Sequence, residues 1–278
     1  MQVKTKPTKH QLWIGALGLV LLAMLVLAVC LPRQSEETPS QTTATTAEPT
    51  QATLPPPDAN PYSPTDFQYD GRYLTCLAGK SVLGIDVSSH QEAVDWQAVA
   101  DAGIRFVMLR VGYRGYETGN IQADALAQEN YLGARAAGLQ VGAYFFSQAV
   151  SAREALEEAD FLLDAIRDWE LEMPVVYDWE YIDQDARTGN LDARTVTDCT
   201  LAFCQAIEDA GYQPMVYFNR HQAQDFLCLE ELTRYPFWLA LYSDRMTYPY
   251  KVDMWQYTSE GSVPGISGDV DINLFFPD

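Results

Sequence analysis

The segment VVYDWE (residues 175–180) joins a short apolar run, typical of a buried strand, to two carboxyl groups, Asp178 and Glu180. Because side chains alternate along a strand, residues two apart project to the same side, so both acids are expected to face the same surroundings. Neighbouring carboxylates repel each other, and burial raises the pKa of at least one of them. Such a pair suits proton transfer, although alone the segment is more often a solvated strand end.

The surrounding sequence alternates between helical and strand-like patterns. Three Ala-Gly pairs, ending at Gly103, Gly138 and Gly211, each follow a helical pattern and precede an apolar run. Glycine commonly terminates a helix, and the order strand, helix, strand predicts a parallel sheet. Pro174 takes the place of a fourth glycine directly before VVYDWE. The predicted strands are residues 82–87, 106–111, 141–146, 175–180, 214–219, 237–242, 252–258 and 270–275.

The last three strands are connected differently from the first five. A helix over residues 221–232 is expected to follow the fifth strand, whereas gaps of nine and eleven residues then separate the later strands. Such gaps are too short for a crossover helix. The predicted fold is therefore α/β, a TIM-like β/α barrel over residues 81–278 with five β/α units followed by three strands.

Two further acids are predicted to meet the VVYDWE pair. Asp86 lies near the end of the first strand, and functional groups of such barrels gather at the carboxyl ends of the strands. Asp271 begins the last strand, so it reaches the same rim only if that strand is antiparallel or short. Clustered carboxylates favour either a divalent-metal site or glycoside hydrolysis by one protonated and one ionised carboxyl group.

Aromatic residues on or near the strands favour the carbohydrate interpretation, since aromatic rings at the rim could stack on sugar faces. Arg110 ends a strand near the acids, where structural pairing and substrate positioning are both consistent with the sequence. The residues predicted to bind substrate are Tyr144, Trp179, Tyr217, Tyr242, Trp255, Gln256 and Arg110.

Seven motifs together resemble glycoside hydrolase family 25, the Chalaropsis-type lysozymes. They are GIDVSSHQ with the following VDW, RVGYRG, GAYFF, VVYDWE, FWLALY and WQYTSEGSVPGISGDVDIN, within residues 82–276. The resemblance implies a barrel of five β/α units plus three strands. It also implies N-acetylmuramidase activity, which cleaves the β-1,4 bond between N-acetylmuramic acid and N-acetylglucosamine in peptidoglycan, without a cofactor or metal.

The resemblance also assigns the acid residues. The family's acid set corresponds to Asp86, Asp178, Glu180 and Asp271, with Glu180 as proton donor and Asp178 stabilising charge or orienting the acetamido group of the substrate. One departure is that Glu92 follows Gln91 where the family usually has glycine. Two alternatives remain open: a non-catalytic module that binds cell-wall glycan, and a metal-dependent hydrolase.

The N-terminal region is organised differently from the barrel. Residues 1–11 form a basic tail and residues 12–32 an apolar segment long enough to span a bilayer, which places the N-terminus in the cytoplasm and the barrel outside the cell membrane. Residues 33–60 are rich in Thr and Pro and are predicted to form a disordered stalk, and residues 61–80 a transition with a short hairpin. A cleaved signal peptide and lipidation of Cys30 are alternatives to the anchor.

Charge and cysteine content limit the partners. Acidic and basic residues balance before residue 59, so the formal charge of −20 lies on the segment that follows. A strongly acidic domain does not favour nucleic acid as a partner. We expect a monomer whose partners are a peptidoglycan strand and, through the anchor, a lipid bilayer. The five cysteines contain no C-x-x-C pair and are predicted to be unpaired, although a bridge between distant cysteines remains an alternative.

Overall fold

The computed structural model describes residues 54–277, which belong to one compact unit. Its strands are β1 (Phe67–Asp70), β2 (Tyr73–Cys76), β3 (Val82–Val87), β4 (Phe106–Arg114), β5 (Ile121–Ala123), β6 (Gln140–Ser147), β7 (Val175–Trp179), β8 (Pro214–Asn219), β9 (Phe237–Ala240), β10 (Met254–Gly261) and β11 (Val270–Phe275). Its α-helices are α1 (Trp96–Asp101), α2 (Ala127–Ala136), α3 (Ala152–Ala165), α4 (Ala193–Asp209) and α5 (Arg220–Asp225).

Eight strands close into the predicted barrel. Strands β3, β4, β6, β7, β8, β9 and β10 follow one another around the sheet in parallel pairs, and β3 pairs with β4 to close it. A helix follows each of the first five barrel strands, whereas β9, β10 and β11 are joined by loops. The prediction of five β/α units followed by three strands is therefore confirmed. Strand β5, which pairs with the end of β4, was not predicted.

The last strand runs opposite to the others. Strand β11 is antiparallel to both β10 and β3, and Asp271 lies directly opposite Asp86 in the register. Because β11 begins where β3 ends, Asp271 reaches the rim formed by the carboxyl ends of the parallel strands. Asp271 was expected to join the other three acids only if the last strand was antiparallel or short, and β11 is antiparallel.

Strand alternation divides the apolar side chains into two layers. One set fills the barrel interior, including Phe106, Met108, Val176, Met215 and Met254, all essentially inaccessible to solvent. A Cβ at Gly84 would lie 2.3 Å from the ring of Phe106, so glycine makes room for the floor of the barrel. The larger set lies between the barrel and its helices. Apolar side chains thus fill the interior of the barrel, and a polar pocket lies at the carboxyl ends of its parallel strands.

The helices begin and end with the expected signals. Ser151 and Asp192 cap α3 and α4 with side-chain oxygens that accept from backbone N–H groups. The glycines of the three Ala-Gly pairs all have positive φ, as the helix-termination pattern predicted. The helix predicted over residues 221–232 is shorter than expected. It ends at Asp225, and beyond it the backbone N–H of Cys228 donates to Thr197 Oγ1.

The chain preceding the barrel packs on it more closely than predicted. Strands β1 and β2 form the expected antiparallel hairpin, and Phe67, Leu74 and Cys76 are buried. The end of the predicted stalk is ordered, in contrast to the prediction: the C=O of Asp58 accepts from Lys251 N–H, and Asn60 N–H donates to Pro249. These bonds hold residues 58–60 against the loop between β9 and β10.

Some predictions fall outside the described residues. The predicted membrane span at residues 12–32 and Cys30 lie there. Between residues 54 and 277, no helix is both long and apolar enough to cross a bilayer. In the same range, the four cysteines Cys76, Cys199, Cys204 and Cys228 are all unpaired.

Glu92 has an unusual backbone conformation. With φ of 53° and ψ of −138°, it occupies a region that favours glycine, and among the described residues no other non-glycine residue has positive φ. This is the position where the family that the sequence resembles usually has glycine. A side chain here costs on the order of 1–3 kcal/mol of strain.

We expect Glu92→Gly to stabilise the fold, because glycine removes this strain. After allowance for the greater chain entropy of unfolded glycine, the gain should be about 1 kcal/mol, or about 2–4 °C in Tm. Thermal unfolding followed by circular dichroism measures the change. Glu92→Ala, which retains a Cβ, serves as the control and should give no such gain; equal stabilisation by both variants would contradict the strain argument.

Candidate active site

A small pocket opens at the carboxyl ends of the parallel barrel strands. Its volume is about 230 Å³, and all four predicted acids line it: Asp86, Asp178, Glu180 and Asp271. It is also lined by five of the seven predicted substrate-binding residues, namely Arg110, Tyr144, Tyr217, Tyr242 and Gln256. The structure thus brings together residues from all eight barrel strands or the segments that directly follow them.

Asp86 is held by amides rather than by cations. Its Oδ2 accepts from Gln256 Nε2 (2.9 Å) and from Asn273 Nδ2 (2.8 Å). The indole N–H of Trp238 donates to Asn273 Oδ1 (2.8 Å), and because an indole can only donate, the Asn273 N–H₂ must face Asp86. Burial raises the pKa of Asp86 to about 6 despite these hydrogen bonds.

Gln256 connects the acid to two tyrosines. Its Oε1 accepts from Tyr217 Oη (3.0 Å) and from Tyr242 Oη (3.1 Å), while its Nε2 donates to Asp86. Tyr217 is buried, but Tyr242 is 59% exposed and stands at the mouth of the pocket. The network fixes the orientation of one Asp86 oxygen and places an accessible aromatic ring beside it.

The two acids of VVYDWE titrate together. Burial, followed by repulsion from Glu180 and Asp86, raises the pKa of Asp178 well above its usual range. Burial also raises the pKa of Glu180, partly offset by a hydrogen bond from Asp178. Asp178 is buried and its Oδ1 has no hydrogen-bond partner among the described residues, whereas Glu180 is half-buried. A proton held by this pair is therefore available at the rim.

The charge of Arg110 is already engaged. Its guanidinium donates to the buried Asp124 (2.9 Å), a carboxylate that the sequence did not identify. Arg110 therefore forms a structural ion pair and also lines the pocket.

Across the pocket, burial and repulsion from Asp86 and Glu180 raise the pKa of Asp271 to about 8. Within residues 54–277, no group of three His, Cys, Asp or Glu side chains could hold a metal ion.

The predicted sugar contacts of Trp179 and Trp255 are wrong. Both side chains are buried on the outer side of the barrel: Trp179 packs against Phe226, and Trp255 against Phe67 of the hairpin. Strand alternation explains the difference. Asp178 and Glu180 face inward, so Trp179 between them must face outward, and the inward position of Gln256 likewise turns Trp255 outward.

Two glutamines that sequence reasoning missed hold the backbone of the acid pair. Gln148 Nε2 donates to the C=O of Glu180 (2.6 Å), and Gln222 Nε2 donates to the C=O of Trp179 (2.7 Å). Both glutamines are almost completely buried. Strand β7 ends here, and its carbonyls would otherwise lack partners, so these side chains fix where Glu180 projects. Gln148 lies two residues after a predicted strand, which was the available signal.

Known proteins share this fold. A family model described as glycosyl hydrolases family 25 matches residues 85–266, which is well over half of the chain. The chain belongs to glycoside hydrolase family 25. It is therefore a glycosidase, and the resemblance seen in its motifs is confirmed.

Individual relatives of this family-25 glycosidase are distant. The Escherichia coli (strain K12) protein YegX is 29% identical over 211 residues, which is 71% of either chain. Lysozyme M1 of Streptomyces globisporus is 26% identical over 217 residues, covering 74% of this chain and 71% of that protein. The structure of the modular autolysin LytC from Streptococcus pneumoniae, in complex with a synthetic peptidoglycan ligand, is similar with a TM-score of 0.62 and 26% identity. The match covers 70% of this chain and about half (47%) of that one.

The raised pKa values predict how the stability of the family-25 domain depends on pH. Between the unfolded pKa of 3.8 and the folded pKa of about 8, the folded protein holds a proton on Asp271 that the unfolded chain releases. The free energy of unfolding should therefore fall as pH rises from about 4 to about 8. Asp271→Asn removes this penalty and should raise Tm by about 2–4 °C or more at pH 8, with little change at pH 4.

Asp269→Asn is the matched control for this measurement. Asp269 is exposed and lies two residues from Asp271, and its substitution removes the same formal charge. Thermal unfolding of the three proteins between pH 4 and pH 8 gives the comparison. A gain from Asp271→Asn that does not change with pH would contradict the assignment of a raised pKa to this carboxyl group.

Proposed function

We propose that this glycosidase is an N-acetylmuramidase, a lysozyme that hydrolyses the β-1,4 bond between N-acetylmuramic acid and N-acetylglucosamine in peptidoglycan. The observation that carries the proposal is the carboxyl pair of Asp178 and Glu180, which lines one small pocket together with Asp86 and Asp271. The relationship to lysozyme M1 supports the choice of substrate. Family membership supports the reaction class.

In this proposal Glu180 is the general acid. It lies just beyond the end of β7, is only half-buried, and its backbone is fixed by Gln148, so it can reach a bond that enters the pocket from the rim. Burial raises its pKa, which favours the protonated form that a general acid requires. As the bond from the muramic acid C1 to the glycosidic oxygen breaks, Glu180 gives its proton to that oxygen. The released N-acetylglucosamine thereby receives a hydroxyl group.

Asp178 and Asp86 would stabilise the positive charge that develops on the sugar ring. The Oδ1 of Asp178 is buried without a hydrogen-bond partner among residues 54–277, so it is suited to accept from a substrate N–H such as that of an acetamido group. Asp86 keeps one oxygen bound to two amides, which leaves its other oxygen to face the pocket. Water then adds to the ring carbon and gives its proton to the Glu180 carboxylate, which creates a new reducing end on muramic acid and restores the acid.

We also propose that the enzyme acts from the outer face of the cell membrane, held by the apolar segment at residues 12–32. The basic residues before that segment support a cytoplasmic N-terminus. Pro55, Pro56 and Pro57 lie beside Gln213 and Phe237, where β8 and β9 begin. The chain therefore enters the barrel at the end opposite to the acids, so a tether attached there would leave the pocket unobstructed.

We expect Glu180→Gln to abolish cleavage without unfolding the protein. Loss of a general acid typically costs about 10²–10⁴-fold in rate. Purified peptidoglycan would be incubated with each protein, and the released fragments identified by mass spectrometry after labelling of the reducing ends. Wild type should produce new muramic acid reducing ends.

Glu260→Gln, an exposed glutamate on β10, is the matched control and should be as active as wild type. Release of fragments with N-acetylglucosamine reducing ends would contradict the muramidase assignment. No release by any of the proteins, combined with retention on peptidoglycan, would instead favour a non-catalytic wall-binding module. Loss of activity on addition of a chelator would favour a metal-dependent hydrolase.

Membrane attachment predicts a fractionation pattern. The full chain should sediment with membranes, resist extraction by high salt and be released by detergent, whereas residues 54–278 expressed with a cleavable export signal should remain soluble outside the cell. Cys30→Ser should behave like wild type. Recovery of the full chain in the medium would contradict the anchor, and release of Cys30→Ser alone would identify lipidation as the means of attachment.

A further inference from the structure

A long connection begins at the proposed proton donor. Residues 180–192 join β7 to α4 without a helix or strand of their own, whereas such connections are usually about 2–6 residues long. Glu180 is the first residue of this connection, so its position depends on how the connection is held. Because misplacement of a reacting group by about 1 Å can reduce a rate about 10²-fold, contacts that fix the start of the connection matter for the reaction.

The middle of this connection folds into a compact turn, the β7–α4 turn (residues 183–189). Asp183 Oδ1 accepts from the backbone N–H groups of Asp185 and Ala186 (both 2.8 Å). The N–H of Gly189 donates to the C=O of Ala186 (3.0 Å), and a Cβ at Gly189 would collide with the C=O of Gln184. The turn is thus closed by its own groups, so it moves as a unit with the side chains that attach it to the barrel.

Arg187 attaches the β7–α4 turn to helix α3 and to the end of β6. Its guanidinium makes a bidentate pair with Glu154 (2.8 and 2.9 Å) and also donates to the C=O of Gln148. Glu154 is itself held, because its Oε2 accepts from the backbone N–H of Val150 (3.1 Å). The hydrogen bonds from Arg187 lower the pKa of Glu154, so the carboxylate stays ionised at neutral pH. A bidentate pair has a specific geometry, and this one places the turn.

Thr188 ties the same turn to the side chain of Gln148. Gln148 Nε2 donates to two backbone carbonyls, those of Ser147 (2.9 Å) and Glu180 (2.6 Å). Because carbonyls only accept, the amide N–H₂ must face them, which leaves Oε1 to accept from Thr188 Oγ1 (3.1 Å). Thr188 and Gln148 are both completely buried, so water does not compete for these groups. The Thr188 hydroxyl therefore fixes the direction of the amide that holds Glu180.

Other contacts restrain the chain on either side of Glu180. Gln222 donates to the C=O of Trp179, and Tyr181 stacks on Phe226 with ring centroids 5.1 Å apart. These contacts hold the two neighbouring residues independently of Gln148. Loss of the hydrogen bond from Gln148 should therefore shift Glu180 locally without unfolding the connection.

We propose that Thr188 and Arg187 are positioning residues for the glycosidase reaction: they hold Gln148, and Gln148 holds Glu180 where it can protonate the glycosidic oxygen. The inference rests on the proposed function, because it concerns the placement of the proposed general acid. Thr188 and Arg187 are not among the residues that line the acid pocket. Their effect on the rate passes through Gln148.

The test compares two substrates that differ in their need for a proton, and it uses the full chain. One is a soluble tetrasaccharide of alternating N-acetylglucosamine and N-acetylmuramic acid, whose leaving sugar needs the proton of Glu180. The other is the dinitrophenyl glycoside of the disaccharide that ends in N-acetylmuramic acid, whose phenolate leaves without a proton. A fault in proton donation slows cleavage of the first substrate alone, whereas a general loss of structure slows both. The quantity compared is kcat/KM, which reports the steps up to bond cleavage.

Thr188→Val replaces the hydroxyl with a methyl group of similar size. It should lower kcat/KM on the tetrasaccharide about tenfold and leave the value on the dinitrophenyl glycoside within about twofold of wild type. Thr188→Ser restores a hydroxyl and should recover most of the loss. Arg187→Lys keeps the charge beside Glu154 but loses the planar fork, so it should show the same selective loss and provides the test if Thr188→Val fails to fold.

Thr200→Val is the matched control. Thr200 is equally buried, its hydroxyl donates to the C=O of Val196 within α4 (2.9 Å), and it does not line the acid pocket. This variant should leave kcat/KM on both substrates unchanged. Equal slowing of both substrates by Thr188→Val would show a structural role only and overturn the proposal. Unchanged values on both substrates, or an equal selective loss from Thr200→Val, would also overturn it.

Failure of the proposed function is distinguishable, because wild type would then cleave neither substrate. In that case, or if wild type cleaved only one of them, ¹⁵N relaxation of the Tyr181 N–H decides the question, since this group shares a peptide unit with the Glu180 C=O. We expect an order parameter of about 0.85 in wild type and below about 0.6 in Thr188→Val, as in a flexible backbone. The same order parameter in both proteins would overturn the positioning role.

Discussion

Four carboxyl groups share one small pocket, and the neighbouring guanidinium group of Arg110 is already paired with another carboxylate. Arg110 lines the pocket but is paired with Asp124, and the groups that contact Asp86 are neutral amides. Burial and mutual repulsion therefore outweigh attraction, and the pKa values of Asp86, Asp178, Glu180 and Asp271 all rise. A cation in place of Asn273 would favour ionisation and remove the reservoir of protons. The neutral amides of Gln256 and Asn273, which bind Asp86 without a positive charge, are thus as important to the chemistry as the acids themselves.

The rest of the barrel serves to bring these groups together and to keep them in place. Inward alternation of eight strands directs one set of side chains into the barrel, where large apolar residues fill the floor and polar residues occupy the rim. The reversal of β11 adds Asp271 and Asn273 to that rim. Gln148 and Gln222 fix the backbone at the end of β7. Neutral side chains thus orient the acids, and although the amides of Gln256 and Asn273 lower the pKa of Asp86, burial still raises it to about 6.

Much of this arrangement could be predicted, because strands and acids leave local signals. The eight barrel strands, the four acids and the tyrosines of the pocket followed from periodicity, parity and motif resemblance. The errors at Trp179 and Trp255 were avoidable, since the rule that directs Asp178 and Glu180 inward directs the residue between them outward. Aromatic composition was given more weight than strand alternation at these two positions.

Other features depend on contacts between distant residues and left no local pattern. Three such contacts join residues that the folded barrel brings together. They are the hydrogen bond from Trp238 to Asn273 and the ion pairs of Arg110 with Asp124 and of Arg114 with Glu158. The positive φ of Glu92 arises from the turn after β3, although the absence of the usual glycine drew attention to that position. Beyond the early end of α5, the backbone of Cys228 is bound by Thr197 of α4, a contact that the sequence of residues 221–232 does not reveal.

The central claim is that the buried pocket retains protons near neutral pH. Titration of the side-chain carboxyl carbons by ¹³C NMR, assigned with Asp86→Asn, Asp178→Asn, Glu180→Gln and Asp271→Asn, measures this directly. We predict an apparent pKa near 6 for Asp86 and near 8 for Asp271, with a proton remaining on the Asp178–Glu180 pair at pH 7. Complete ionisation of all four carboxyl groups below pH 5 would contradict the account.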